Sequence, residues 1–495
     1  MICDIISLTK QKNISRKVFP MNSIITQVAV KVVEEISKNI EKNGISEIGK
    51  TAEDILSILK EGTLELLAAA IHEMDSAILS AKHERKQDGI TVKARNVPRT
   101  VVTSIGELKY SRTYFEFKDG TKAYITDQLI GIEPFERLTK ELCAELVHNT
   151  ASMSMQKSVD VVGIDVSRQT VNNKLLSMRD VVTEITRESH TPSELHIFAD
   201  EDHVHLRPKQ SAMVPLVTVT EGIDISNDRR HRTKSPLHFQ GYGMEINAFI
   251  ENVVAAVYRK YDMSAVKRVV IHADGGNWIK KLGALMPEAV LVMDGFHLEK
   301  YFKQLFRIKG ASVYAGNLRR SVRENDIERF TKYCTAIKKG QDEKDKKKLE
   351  QLLSYFQNNW ESIVERLKGE HCGSCTEPLI SHVLSERLSR SPIAWSKEGL
   401  SKMAMLRVYE ENGGRVTAKS IRVSRRKTDR EKDYRSKRNG FEIYNKYANE
   451  QIKAVFGGNH DWSIFEGESK NTGLCYSKIT GTTVMLRSFA RLKAV

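Results

Sequence analysis

The spacing of apolar residues changes several times along this chain. Between residues 22 and 84, apolar positions recur every three or four residues, as in Ile25, Val28 and Val32, and this spacing predicts amphipathic helices. From Thr100 to Tyr124 the period shortens to two, and Asp119-Gly120 is a strong signal for a hairpin turn. The N-terminal part is therefore predicted to contain a helical region followed by a small antiparallel sheet.

Helical spacing returns between residues 134 and 190, and one segment there has the pattern of a helix-turn-helix. A first helix ends at Gly163, and Ser167 can cap a second helix that turns Val171 and Leu175 inward. The outward side chains of the second helix can offer hydrogen bonds to base edges in a major groove. They are Arg168, Gln169, Asn172, Asn173 and Lys174. The alternative interpretation is a pair of packed core helices.

After residue 194, strand and helix patterns alternate, which predicts an α/β core with a mixed sheet flanked by helices. Strands are predicted at 195–199, 204–206, 214–220, 267–273 and 289–293, and helices at 246–261, 278–285 and 298–307. Residues 317 to 369 are rich in Lys and Glu and carry one apolar stripe, which predicts an all-helical insertion. The stripe consists of Leu349, Leu352, Leu353, Phe356, Trp360 and Ile363.

These patterns divide the chain into segments. We expect a disordered arm or an upstream start at 1–20, a helical region at 21–98, a small sheet at 99–133 and a helical DNA-binding region at 134–192. A catalytic core is expected at 193–310 and 371–410, with the helical insertion at 311–370 between its two parts and a basic region at 411–495.

Charge and cysteine content indicate a partner and a compartment. The 495 residues include 78 Lys and Arg against 63 Asp and Glu, and the net charge of +15 favours nucleic acid as partner. Six cysteines in so long a chain do not form a disulfide scaffold and favour a reducing cytoplasm. No apolar stretch is long enough to span a membrane. The basic run that includes Arg425, Arg426 and Lys427 favours contacts with phosphates.

Three carboxylates fall where this topology would gather them. Asp200 and Asp274 end predicted strands, and Glu377 begins a helix just before Pro378. Carboxylates gathered at one edge of a sheet repel one another unless a divalent cation neutralises them, and oxygen ligands suit Mg²⁺. The sequence therefore predicts a site for two Mg²⁺ or Mn²⁺ ions that supports phosphoryl transfer. Strand alternation alone does not decide between Asp200 and Asp202, and each Asp taken singly is also typical of a turn or helix cap.

Two further groups can carry chemistry. Asp294 and His297 follow a buried strand, three residues apart, and can position a phosphate, orient a water or pair with each other. Cys372 and Cys375 have zinc-ligand spacing, but a second half-site is missing, so two buried thiols are the favoured interpretation.

Several of these pieces, taken in order, resemble a known family. They are TSIGELKYSRTY at 103–114, IFADEDHV at 197–204, IHADG at 271–275 with Trp278, MDGFH at 293–297, and TEPLISHVL at 376–384 continuing to RSPIAWS at 390–396. From about residue 22 to 450 the chain resembles the bacterial insertion-sequence transposases of the ISLre type, which are relatives of the Mutator-type transposases. Glu201 departs from the family pattern, which commonly has a small residue after the first Asp.

The resemblance implies an RNase H-like catalytic domain with an Asp-Asp-Glu triad and a helical insertion before the Glu. Asp200, Asp274 and Glu377 match the triad, with Glu386 as an alternative third member, and Asp294 with His297 match the Asp/Cys-x-x-His motif of the Mutator-type relatives. The implied activity is metal-dependent cleavage of DNA at the element ends followed by strand transfer into target DNA.

The partners expected on this reading are double-stranded DNA, as terminal inverted repeats and as target, and further copies of the chain in a dimer or larger synaptic complex. We expect no membrane and no small-molecule substrate, and a location at the bacterial nucleoid. Two alternatives are an inactive RNase H-like DNA-binding protein and a structure-specific nuclease of the same fold.

Overall fold

Two compact units make up the chain. The computed structural model describes residues 20–45, 47–224, 232–286, 289–368, 375–390 and 393–421. Within these described residues, the first unit comprises 20–145, 162–166 and 417–421, and the second comprises 146–161 and 167–416. All the residues predicted to form the catalytic site belong to the second unit.

The first unit packs helices on a small antiparallel sheet of order β1-β2-β3. Its elements are α1 (Pro20–Asn43), α2 (Ile48–Ser80), α3 (Lys82–Gln87), β1 (Thr91–Thr103), β2 (Gly106–Glu116), β3 (Lys122–Ala123), α4 (Ile125–Leu129) and the first part of α5 (Lys140–Asn149), whose residues from Leu146 onward belong to the second unit. Ile78, Phe115 and Ile125 are fully buried in its core. Helices therefore precede a small antiparallel sheet in this unit.

The hairpin predicted at Asp119-Gly120 joins β2 to β3. The Asp119 carboxylate accepts from Thr121 N at 3.0 Å, and Gly120 has a φ of 76°, which glycine adopts without strain. The predicted start of the sheet at 99 is wrong, because β1 begins at Thr91. Register shifts between Val92 and Val97 interrupt the alternation there and hide the strand from a period-two pattern.

Two helices occupy the predicted helix-turn-helix segment, α6 (Met155–Val162) and α7 (Arg168–Ser177). The Ser167 side chain accepts from Thr170 N at 3.2 Å and caps α7, as predicted. Val171 and Leu175 are buried. Arg168, Gln169 and Asn173 are exposed, and Asn172 and Lys174 are half-buried.

The helical region does not continue to residue 192 as predicted. After Ser177 the chain is without helix or strand until β4 begins. Residues 181 to 186 alternate between half-buried and exposed positions, as in an extended chain. Five of them, Val181, Val182, Thr183, Ile185 and Thr186, are β-branched, and the restricted rotation of such side chains disfavours helix.

The second unit contains a five-stranded mixed sheet of order β10-β9-β4-β5-β8. β4 (Glu194–Leu206), β5 (Gln210–Thr220) and β8 (Leu237–Gln240) pair antiparallel, whereas β9 (Arg268–Ala273) and β10 (Ala289–Met293) run parallel to β4. A small pair, β6 (Ile223–Asp224) and β7 (Arg232–Thr233), lies between β5 and β8 in sequence. The two short strands predicted at 195–199 and 204–206 are one continuous strand, because β5 pairs along its whole length.

Helices cover the sheet. α8 (Ile246–Lys260) and α9 (Asn277–Ala284) pack on the face that carries Leu195, Ile197 and Ala199 of β4. α10 (Gly295–Phe306) follows β10, and the polypeptide returns to β4 through α15 (Thr376–Ile380), a π-helical turn (Ser381–Ser385) and α16 (Glu386–Leu388). α17 (Lys397–Glu411), which the sequence did not reveal, packs against β8.

The described residues of the predicted insertion are mostly helical. It consists of α11 (Ala315–Arg323), α12 (Ile327–Lys338), α13 (Glu343–Asn358) and α14 (Trp360–Leu367), after a 3₁₀ turn at Ala311–Tyr314. Of the predicted apolar stripe, Leu349, Leu352, Phe356, Trp360 and Ile363 are buried, and Leu353 is half-buried against them. The Phe302 ring of α10 packs against the Phe356 ring at a tilt, with centroids 5.1 Å apart, so the insertion has a core continuous with the helix that begins at the site.

Some of the predicted residues lie outside the described part of the chain. Arg425, Arg426 and Lys427 are among them, as is Cys372. Cys375 is half-buried, and burial raises the pKa of its thiol. Among the described helices, none combines the length and the apolar character that crossing a membrane requires.

The left-handed backbone conformation at Phe135 can be tested by substitution. Its φ is 63° and its side chain is 96% exposed, so it carries left-handed strain without packing in return. We expect Phe135→Asn to raise stability by roughly 0.5–1 kcal/mol, because Asn tolerates this conformation. Phe135→Ala is the matched control, since it removes the ring but keeps the strain. Thermal denaturation of the wild type and both variants measures their stabilities. A lower melting temperature for the Asn variant than for the Ala variant would contradict a left-handed conformation at residue 135.

Candidate metal centre

The pairing of three parallel strands decides which side chains meet at the site. Phe198 of β4 lies opposite His272 of β9, so two residues further on Asp200 lies at the level of Asp274. Met293 of β10 lies opposite Ala273, so Asp294 follows at the same level. The Asp294 backbone nitrogen donates to the Ala273 carbonyl at 2.8 Å. Three aspartates therefore stand side by side at one edge of the sheet.

Asp200, Asp274 and His297 form a group that can bind a cation. Each offers a ligand atom, and these atoms all lie within 4.8 Å of one another. Asp200 is buried, whereas Asp274 and His297 are half-buried. Burial raises the pKa of Asp200 to about 7, and the neighbouring Asp274 carboxylate adds to this, although the Glu201 backbone nitrogen and His297 oppose it. A divalent cation would offset both the burial and the repulsion.

A tight turn after β9 fixes the Asp274 carboxylate. Its Oδ1 accepts from Gly276 N at 2.8 Å. Gly275 has a φ of 98°, and a Cβ there would lie 2.6 Å from Oδ1 of Asn359. The Asp274 carbonyl accepts from the Tyr355 hydroxyl at 2.7 Å. The helical insertion therefore supports the site from behind, a role that no sequence signal indicated because it depends on a contact between distant segments.

Asp294 is a helix cap that positions His297. Its Oδ1 accepts from Phe296 N at 2.8 Å and from His297 N at 3.3 Å, and the residue is almost completely buried. His297 Nδ1 lies 3.7 Å from the same oxygen. The Asp294 carboxylate raises the pKa of His297, with Asp200 and Asp274 acting in the same direction and burial opposing them. Of the predicted roles, the structure shows Asp294 pairing with His297 rather than joining the cation group.

Asp202 has a different role from Asp200. Both its carboxylate oxygens accept from the Ser389 hydroxyl at 3.0 Å, and burial raises its pKa while hydrogen bonds from Ser389 and Ser385 oppose the rise. Ser385 and Ser389 belong to the end of the segment that begins with Glu377. Asp202 therefore anchors this segment on β4, and Asp200 is the aspartate that faces Asp274.

Glu377 does not belong to the cation group. It is exposed in the first turn of α15 and lines a cleft of about 490 Å³ together with Asp294, Phe296 and Arg366. The helix start at Glu377-Pro378 agrees with the prediction. Asp294 lines the same cleft, so Glu377 lies near the edge of the sheet that carries the cation group.

Glu386, the alternative to Glu377, lies in a different neighbourhood. It is exposed, and its Oε2 lies 3.5 Å from His382 Nδ1, while the other ring nitrogen of His382 lies 3.6 Å from Glu411 of α17. The geometry therefore favours Glu377 as the carboxylate that accompanies the group.

Two carboxylates and an imidazole are a chemically suitable donor set for one divalent cation. Carboxylates suit Mg²⁺ and Mn²⁺, and an imidazole is better accepted by Mn²⁺. The predicted set of Asp200, Asp274 and Glu377 for two ions differs from this group, in which His297 takes the third place. The two-ion site remains a prediction.

With this geometry in place, similarity to other proteins identifies the family. A family model described as "Uncharacterised protein family (UPF0236)" matches residues 41–427, and the chain belongs to this family. The chain is 30% identical over 417 residues to a UPF0236 protein of Caldanaerobacter subterraneus subsp. tengcongensis, covering 82% of this chain and 85% of that one. It is 31% identical over 429 residues to a second UPF0236 protein of the same bacterium, covering 83% and 85%.

The names of these relatives carry a further fact. The first joins many locus designations of one genome, and the second joins two more. The family is therefore present in multiple copies in that bacterium.

Removing the Tyr355 hydroxyl tests the hydrogen bond from the insertion to the Asp274 turn. Tyr355→Phe removes the donor to the Asp274 carbonyl, and we expect Mn²⁺ to bind about tenfold more weakly, as when other supports of metal ligands are removed. Isothermal titration of the full chain with Mn²⁺ measures the affinity.

Tyr301→Phe is the matched control, because the Tyr301 ring stacks on Tyr355 with centroids 3.6 Å apart and its hydroxyl forms no hydrogen bond to another described residue. Equal Mn²⁺ affinities for the two variants would contradict the supporting role of Tyr355.

Proposed function

We propose that the protein is a transposase of the Asp-Asp-Glu type, similar to the ISLre-type insertion-sequence transposases. The proposal rests chiefly on the group of Asp200, Asp274 and His297, which lies at the edge where β4, β9 and β10 meet. In this proposal the site cleaves phosphodiester bonds at the ends of an element and joins the freed 3′-hydroxyl to target DNA.

The sheet supports an RNase H-like assignment. A long antiparallel pair, β4 and β5, is extended by antiparallel β8 on one side and by parallel β9 and β10 on the other. An RNase H-like core places its carboxylates on the central first strand and at the end of the neighbouring parallel strand. Asp200 lies on the central strand β4, and Asp274 directly follows β9, which supports this assignment.

The family's copy number also supports the proposal. Mobile elements multiply within a genome, so a transposase gene is found at many loci. The relative whose name joins many loci of one genome fits this behaviour.

Each residue of the site has a part in the proposed reaction. Asp200 and Asp274 would hold the cation, and Glu377 would reach it from the cleft once DNA fills the site. A bound Mg²⁺ or Mn²⁺ supplies Lewis-acid stabilisation of the charge that develops on the phosphate and the departing 3′-oxygen. His297, oriented by Asp294, would be a ligand when neutral and would donate a hydrogen bond to a phosphate oxygen when protonated.

DNA recognition is assigned to the helix-turn-helix at 155–177. The exposed side chains of α7 suit base edges, and Gln169 Nε2 donates to Asn173 Oδ1 at 2.8 Å, which orients the amide pair. Lys157 of α6 is exposed and suits a phosphate. Because two element ends must be cut together, we expect a dimer or larger assembly on DNA.

Two substitutions separate the two kinds of contact. Asn173→Ala is expected to weaken binding to the element end about tenfold while leaving binding to random duplex unchanged, because it removes a contact to a base edge. Lys157→Ala is expected to weaken both equally and to lower the salt dependence. Fluorescence anisotropy at several salt concentrations measures both effects. Uniform weakening by Asn173→Ala would contradict base readout by α7.

The Asp274→Asn variant tests cleavage. The substrates are labelled DNA duplexes that contain the ends of the proposed mobile element carrying this gene. Asparagine keeps an acceptor for Gly276 N, so the turn persists while the charge is lost. We expect Mg²⁺- or Mn²⁺-dependent nicking at the boundary, absent in EDTA, and lowered by more than about a hundredfold in the variant, beyond the loss typical of residues that only support a metal ligand. DNA binding should persist.

The control for this experiment is Asp262→Asn, which changes an exposed aspartate of the same unit outside the site. Binding without cleavage by the wild type under either metal would favour the inactive DNA-binding alternative. Cleavage of branched junctions regardless of the boundary sequence would favour the structure-specific nuclease.

A further inference from the structure

The cleft beside the cation group has apolar walls. Phe296 at the start of α10 is 55% exposed, and Leu367 at the end of α14 is 42% exposed. Both line the cleft, and the exposed ring of Pro378 lines it as well. Large apolar side chains gathered on a concave surface next to polar groups are typical of a binding site.

The position of Phe296 relates the cleft to the site. Its ring meets the His297 ring edge to face, with centroids 5.4 Å apart, and Asp294 caps the turn that carries both residues. A group that stacked on Phe296 would therefore lie next to a phosphate held at Asp200, Asp274 and His297.

Four charged side chains line the cleft, namely the carboxylates of Asp294, Glu299 and Glu377 and the guanidinium of Arg366. Glu299 is engaged with Arg319 through two hydrogen bonds of 2.7 and 2.8 Å, and Asp294 is engaged as a helix cap. The Arg366 guanidinium packs close to Gly295, where a Cβ would lie 3.0 Å from Nη2. Arg366 lines the cleft and makes no ion pair or hydrogen bond with another described residue.

From these contacts we infer that the cleft binds one unpaired nucleotide of a DNA strand, next to the phosphate that is cleaved. The base stacks on Phe296 and against Leu367 and Pro378, and Arg366 binds the adjoining phosphate. This inference rests on the proposed function, because it takes DNA as the substrate.

The size of the cleft suits a single nucleotide. The volume of about 490 Å³ lies in the range of pockets for single small molecules, roughly 300–1,000 Å³. Phe296, Leu367 and Pro378 offer apolar surfaces on which a base can stack, so we expect stacking to exceed base readout. The site therefore takes a nucleotide that has left the duplex, with little preference for its base.

The test measures binding of the full chain in Ca²⁺, which suppresses cleavage, to three labelled duplexes. One is fully paired, one carries a single unpaired 2-aminopurine, and one carries an abasic residue at the same place. We expect the wild type to bind the 2-aminopurine duplex roughly tenfold more tightly than the other two, with quenched fluorescence from stacking. Phe296→Ala removes this preference, and Phe296→Tyr retains it.

Two further variants and a competitor complete the experiment. Arg366→Ala weakens binding of the 2-aminopurine and abasic duplexes alike, because it acts on the phosphate. Leu285→Ala, an exposed apolar residue outside the cleft, leaves all three affinities unchanged. Free 2-aminopurine deoxyribonucleoside monophosphate is included as a competitor. We expect it not to displace the duplex at millimolar concentration, because the cleft binds a nucleotide that is part of a DNA strand.

Equal binding of the three duplexes by the wild type, an unchanged preference in Phe296→Ala, or full displacement by the free nucleotide would overturn the inference. None of these results bears on metal-dependent cleavage, so the proposed function would stand. Failure to bind any of the duplexes would instead overturn both.

Discussion

The parallel pairing of β4 with β9 brings two carboxylates together that would repel each other in isolation. Asp200 is buried on β4, and Asp274 stands beside it in the turn after β9. Such an arrangement costs free energy unless the charges are compensated. His297 compensates part of it, and a divalent cation would compensate the rest. The surrounding elements hold these side chains together although their repulsion costs free energy. We therefore regard the group as functional.

Support for the group comes from widely separated parts of the second unit. The insertion supplies Tyr355 and Asn359 behind the Asp274 turn, the start of α10 supplies Asp294 to orient His297, and Asp202 anchors the segment that begins with Glu377. None of these supporting side chains belongs to the cation group itself. The insertion is therefore part of the site's construction, and its core is shared with the helix that begins at the site.

Local patterns predicted most of the elements, and the predictions failed where distant contacts decide. The helices at 246–260 and 343–367 and the strands at 268–273 and 289–293 follow from apolar spacing within each segment. Asp200 and Asp274 were identified because both end strand patterns. The choice of Asp200 over Asp202 required the pairing register and the bond from Ser389, and Tyr355 gave no signal because its partner is far away in sequence. Strand β1 was misplaced because a bulge disguised its period.

The central claim is that Asp200, Asp274 and His297 form a divalent-cation site. Anomalous scattering from crystals of the protein grown with Mn²⁺ tests this most directly. We predict a manganese peak in the anomalous difference map between the two aspartate carboxylates and the His297 ring. In Asp200→Asn we predict no peak at that place. A peak elsewhere, such as on the exposed carboxylates of Glu377 or Glu386 alone, or no peak at saturating Mn²⁺, would contradict it.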